Sequence, residues 1–107
     1  MVITIKLMPD YDCWPLWWHA GTEKIGNIDP ASLGISSDLV DRLNAWAAQY
    51  DAFLNRDDPT QSGPATPEIE DAFENEGFAL LDLLRRELSG KYHVIYYSTK
   101  LNRLLSI

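Results

Sequence analysis

The stretch Tyr11–Gly21, YDCWPLWWHAG, gathers three of the four tryptophans, the single cysteine and one of the two histidines of a 107-residue chain. With Asp10 just ahead of it, the segment offers Asp10, Asp12, Cys13 and His19, side chains that can hold a metal or move a proton. Their spacing fits no zinc pattern: there is no CxxC and no HxxxH, and the other histidine is the distant His93. DYDCW lacks the glycine and the closing glutamate of a calcium loop. A thiol nucleophile needs a base and a depressed pKa. Cys13 has candidate bases in His19 and His93, but Asp10 and Asp12 oppose a thiolate, and Trp14 and Leu16 suit a cysteine that behaves as a small hydrophobe. Sixteen acids are present, yet none is marked out as the acid or base of a carboxylate pair, and no glycine-rich phosphate loop occurs. The expectation is a protein that is not an enzyme, with no catalytic residue, no metal and no cofactor.

The aromatic residues remain. Successive side chains of an extended segment point to opposite faces, so Trp17 and Trp18 diverge and Trp14, Trp17 and Trp18 cannot all face inward. Their bland role is a loop lid that seals one end of the core. Their functional role is a contact surface, where tryptophan is enriched at binding hot spots. A small enzyme or small-ligand-binding protein using segment 11–18 is the alternative; its pocket would be lined by Trp14, Trp17, Trp18 and Tyr11, with Asp10 or Asp12 as polar groups. A structural subunit of an obligate complex is a third possibility.

The elements that position these residues follow from periodicity. VITIKLM, residues 2–8, alternates as a half-buried strand and stops at Pro9-Asp10. Residues 9–35 keep no period and read as a long connection with short extended pieces such as PLWW. Leu39, Leu43, Trp46, Tyr50 and Phe53 share the inner face of a helix over 37–54, capped by Ser36 or Ser37 with Asp38 in its first turn. NRDDPTQSGPATPE is a linker. A second helix starts at Thr66-Pro67, has Ile69, Phe73, Leu80, Leu84 and Leu88 as its inner face, and stops at Ser89-Gly90. Gly77 costs about 1 kcal/mol against Ala in a helix interior, and its lack of a side chain would let another backbone come close. YHVIYYS, residues 92–98, is a second clear strand, and LNRLLSI is a short third strand or a helical turn. The implied fold is α+β, one domain over residues 1–107: a small sheet that includes the N-terminal and C-terminal strands as neighbours, with two amphipathic helices packed on one face.

Size and composition agree. A chain of this length buries a core without staples, and a hydrophobic fraction of 46% fits a packed globule. One cysteine cannot make an internal disulfide. The N-terminus does not read as a signal peptide and no apolar run approaches a membrane span, so the expected location is cytoplasmic. The formal net charge of −7 disfavours nucleic acid and anionic membranes as partners and admits a cationic one. The charge is polarised. Residues 51–76 hold eight acids against the single base Arg56 and carry −7, residues 1–50 carry −3, and residues 77–107 carry +3. Glu68 and Glu70 favour a helix N-terminus, but Glu70 and Glu74 repel at i, i+4, whereas Asp82 and Arg86 attract at the same spacing. Asp57, Asp58, Glu68, Asp71 and Glu74 are therefore the candidate partner-binding acids, with Trp17 and Trp18 as candidate aromatic anchors. The plain alternative for the acids is a solvated face that keeps the chain soluble.

KLMPDYDCWPLWW, GNIDPASLGIS and WAAQYDAFLNRDDPTQSG resemble small bacterial proteins in which a strand runs into a Pro-Asp-Tyr motif and a tryptophan-containing segment. The resemblance covers about Ile5 to Gly63 and weakens after it. Proteins of this type are immunity proteins of contact-dependent growth inhibition and related polymorphic toxin systems. The resemblance implies a non-enzymatic protein that binds and neutralises one cognate toxin domain. Many such toxins are nucleases, whose basic surfaces an acidic inhibitor would cover. It transfers no interface residues.

Overall fold

The computed structural model describes residues 2–105 and 107. Strands β1 (Ile3–Leu7), β2 (Leu16–Ala20) and β3 (Asn27–Ile28) come first, followed by helices α1 (Ser37–Ala52) and α2 (Pro67–Glu87), then strands β4 (Tyr92–Ser98) and β5 (Arg103–Leu105). The five strands form one mixed sheet in the order β3-β2-β1-β4-β5. At its centre β1 runs parallel to β4, with Ile3 opposite Tyr92 and Leu7 opposite Tyr96. The neighbouring pairs are antiparallel. The fold is α+β, as the pattern of elements implies, and the first and last long strands are neighbours.

The long connection is more ordered than its lack of period predicts. Residues 9–35 contain two strands and a 3-10 turn, Pro30–Leu33, so the sheet is wider than the terminal strands alone. Two- and five-residue strands are too short to show a repeat, and their identity is set by partners elsewhere in the chain. The tail is a strand, β5; Ser106, part of the same expected element, lies outside the described residues.

Alternation decides the layers. Ile5, Leu7, Leu16, Val94 and Tyr96 project from one face of the sheet into a core shared with Leu39, Leu43 and Trp46 of α1 and with Phe73, Leu80 and Leu84 of α2. Lys6, Trp17, Ile95 and Tyr97 occupy the other face, half-buried. Both helices begin at the expected caps: Ser36 Oγ accepts from the Leu39 amide and Thr66 Oγ1 from the Ile69 amide. The end of α2 also secures the start of α1, because the Glu87 carboxylate accepts from Ser36 N at 2.6 Å and Ser36 Oγ at 2.7 Å. Asp82 and Arg86 form the expected i, i+4 pair at 2.9 Å.

Two details of the helix faces differ from the pattern. Ile69 is 43% exposed, because the first turn of α2 lies beyond the shared core. Gly77 does face a close neighbour, but it is a pair of side chains and not a backbone. A Cβ there would lie 2.4 Å from Tyr96 Oη and 2.9 Å from Trp46 Cζ2.

Candidate partner-binding surface

The aromatic segment is held firmly by polar contacts. Asp12 adopts a positive φ of 58°, and its amide donates to Asp51 Oδ1 at 2.8 Å while Arg56 pairs with its carboxylate at 3.2 Å. Asn27 reaches back from β3, accepting from Trp14 N at 2.8 Å and donating to Trp14 O at 2.6 Å and Leu16 O at 2.8 Å. These bonds replace the regular ladder that the loop lacks and fix its path against α1.

Strand β2 then separates the tryptophans. Trp18 packs on the edge of the core, edge-on to Tyr92 at 5.9 Å, with Lys24 Nζ 5.0 Å from its ring centre. Trp17 lies on the opposite sheet face, and its Nε1 donates to Met8 O at 3.0 Å. Trp14, in the loop, is 45% exposed. Alternation therefore prevents a pocket lined by all three, and the small-ligand alternative loses the site it required. Cys13 is half-buried beside three acids: burial first, then Asp10, Asp12 and Asp51, push its thiol pKa up, away from the thiolate a nucleophile needs. Among the described residues no three metal-ligating side chains cluster, and no helix is long and apolar enough to cross a membrane.

The acids fall into distinct environments. Asp57 and Asp58 are exposed in the linker, where Asp58 caps the short 3-10 turn Pro59–Gln61 by accepting from Thr60 N at 3.2 Å and Thr60 Oγ1 at 2.6 Å. Glu68 is exposed in the first turn of α2. Asp71 is exposed and pairs with Lys100 at 2.5 Å. Glu76 is bound by Arg42 of α1 through two bonds, at 2.7 and 3.1 Å. Among the described residues, Asp57, Asp58, Glu68 and Glu70 take part in no ion pair.

Glu74 has a different setting. It is only 7% exposed, and its two oxygens accept from Tyr96 Oη and Ser98 Oγ, each at 2.5 Å. Ser98 Oγ in turn accepts from Leu101 N at 3.0 Å, so one buried carboxylate organises the end of β4 and the turn into β5. Burial, reinforced by the bond to Glu74, pushes the Tyr96 hydroxyl pKa up. The two hydroxyls hold the Glu74 carboxylate in its buried position by satisfying both of its oxygens. The signal was present in the helix phase, since Glu74 lies three residues before the buried Gly77 and seven before the buried Leu81.

Aromatic residues from distant parts of the chain, which the sequence assigned to separate elements, meet at this end of the molecule. Tyr11 stacks on Tyr50 with centroids 4.6 Å apart and planes 23° apart. Tyr50 meets Phe73 at 5.8 Å and Phe53 at 6.1 Å. Burial, with Tyr11 and Asp10 nearby, pushes the Tyr50 pKa up to about 12. Tyr11, expected to line a pocket with the tryptophans, meets Tyr50 instead.

The chain matches no curated protein sequence at a significant level. The family described as Serratia CdiI immunity protein-like matches residues 3–99, a span that takes in β1 through β4, both helices, the tryptophan segment and the acidic linker. The chain thus belongs to the Serratia CdiI immunity protein-like family, the immunity proteins of contact-dependent growth inhibition.

Proposed function

We propose that this protein neutralises one cognate toxin domain by binding it without chemistry, that the toxin is a basic nuclease, and that the acidic linker and α2 face it in the cytoplasm. The observation that supports this reading is the charge placement on an immunity-family chain. Asp57, Asp58 and Glu68 are exposed acids on one continuous stretch, residues 57–68, and take part in no ion pair among the described residues. A nuclease needs a basic surface to hold phosphates, and such a surface is drawn to an acidic one before contact.

The test uses the cognate toxin C-terminal domain, to be sought in the neighbouring gene. The two proteins should co-purify, and expression of this one should protect cells from the toxin. In stopped-flow binding, the association rate should fall as salt rises, since screening shortens the reach of the charges to about 10 Å at 0.1 M. Reversing Asp57, Asp58, Glu68 and Asp71 to lysine should slow association and remove most of that salt dependence. A salt-independent association rate would refute the acidic-surface part of the proposal, and a toxin domain without nuclease activity would refute the nuclease part.

A further inference from the structure

The two parallel strands β1 and β4 finish at the same end of the sheet, and the segments that follow them border a small cavity of about 190 Å³. Its walls come from parts of the chain far apart in sequence: Tyr11 after β1, Tyr50 and Phe53 at the end of α1, Phe73 with Glu70 and Glu74 from α2, and the turn after β4. The space lies below the roughly 300–1,000 Å³ of small-molecule pockets. It is the size for a side chain.

Three independent features select the kind of side chain. First, the walls are aromatic, and the Tyr11–Tyr50 stack continues through Tyr50 to Phe73 at 5.8 Å, with Phe53 packed edge-on to Phe73 at 5.3 Å. Such ring faces attract a cation, and they attract a planar guanidinium more than a strongly hydrated ammonium. Second, two carboxylates line it. Glu74 is buried with neutral hydroxyls as its partners, one on each oxygen, and a carboxylate oxygen has a second lone pair to offer. Glu70 is half-buried and in no ion pair among the described residues. Among the described residues the one cation on the lining, Lys100, is bonded to Asp71 at 2.5 Å, with Glu70 and Glu74 further off but near enough to favour its charge. Third, the last turn of α1, which supplies Tyr50 and Phe53, holds no basic residue. The negative pole of that helix therefore has no cationic side chain of its own.

We infer that this cavity receives an arginine side chain of the toxin domain, lying against its aromatic wall of Tyr11, Tyr50, Phe53 and Phe73 and facing Glu70 and Glu74. The inference rests on the toxin-binding reading above and adds to it the point of insertion. Surface acids steer the encounter, whereas a guanidinium seated in an aromatic pocket acts after contact and slows departure.

The test is stopped-flow association and dissociation of the cognate toxin C-terminal domain, with Glu70→Gln and Tyr11→Ala as separate variants. Glu70→Gln keeps shape and removes only charge, so it covers the case in which Tyr11→Ala disturbs the loop. Each is expected to speed dissociation about tenfold while the association rate stays within about twofold. Wild-type dissociation from both variants would overturn the pocket and leave toxin binding intact. An effect confined to association would assign the two residues to steering and overturn the pocket as well. Absence of a complex with the unaltered protein would instead overturn toxin binding itself, and the pocket with it.

Discussion

Gly77→Ala sets helix propensity against packing, and the structure decides between them. In an exposed helix interior the change would stabilise the chain by about 1 kcal/mol. In α2 the new methyl would meet Tyr96 Oη at 2.4 Å, Tyr96 Cε1 at 2.9 Å and Trp46 Cζ2 at 2.9 Å. Neither ring can move freely. Trp46 is 1% exposed, stacks on Phe73 at 4.6 Å and donates from Nε1 to Phe73 O at 2.9 Å. Tyr96 is 1% exposed and tied to Glu74. Overpacking of this kind costs about 1–3 kcal/mol. Displacing the Tyr96 hydroxyl also leaves the buried Glu74 short of a donor, at a further cost of about 1–3 kcal/mol. After subtracting the propensity gain, the net loss is about 1–5 kcal/mol, or roughly 4–20 °C in Tm for a chain of this size. Urea titration followed by tryptophan fluorescence would measure it. The double variant Gly77→Ala with Tyr96→Phe removes the closest contact, so the two losses should sum to more than the loss measured for the pair, by about 1 kcal/mol or more. A stabilised Gly77→Ala protein, or strictly additive losses, would refute the packing argument.

Other outcomes follow from the same contacts. Trp46→Ala should lose about 3–5 kcal/mol in the same titration, since it empties a large aromatic site, and a loss below about 1 kcal/mol would contradict its burial. Cys13→Ala should protect cells from the toxin as well as the unaltered protein does. Cys13 itself should react with iodoacetamide more slowly than an unstructured cysteine peptide at the same pH, and faster as salt screens Asp10, Asp12 and Asp51. Alkaline stability depends on Tyr50 and Tyr96, whose pKa values are raised in the folded state. Their contribution is complete below the ordinary tyrosine value of about 10 and is lost as pH rises through the folded values, so absorbance at 295 nm should show two tyrosines of the folded protein ionising above the ordinary range.

Sequence made the helices legible because caps and periodicity act locally. Ser36 and Thr66 cap where side-chain oxygens can reach the third amide, and Leu39, Leu43 and Trp46 repeat on one face. It did not reveal β3, because two residues carry no period and Asn27-Ile28 is a strand only through Trp17 and Leu16. Helix phase set Glu74 beside the core, but what holds its charge there was not legible, since the hydroxyls that donate to it come from Tyr96 and Ser98, 22 and 24 residues later. The aromatic pocket was hidden for the same reason: Tyr11 and Tyr50 become neighbours only when the loop after β1 is laid on the end of α1.

The central parallel pairing of β1 with β4 has a consequence for synthesis. Ile3 leaves the ribosome well before its ladder partner Tyr92 is translated. A nascent polypeptide can form α1 and α2 from local contacts, but β1 must wait with its inner edge unpaired until β4 has been made. Closing so long a loop is an entropic toll that contacts repay only afterwards. At about 5–20 residues per second the interval lasts several seconds, during which Ile3, Ile5 and Leu7 are an adhesive ribbon open to chaperones or to stray association. Protection against an incoming toxin must therefore come from copies already completed, and a cell that depends on this fold gains by keeping a standing pool of it.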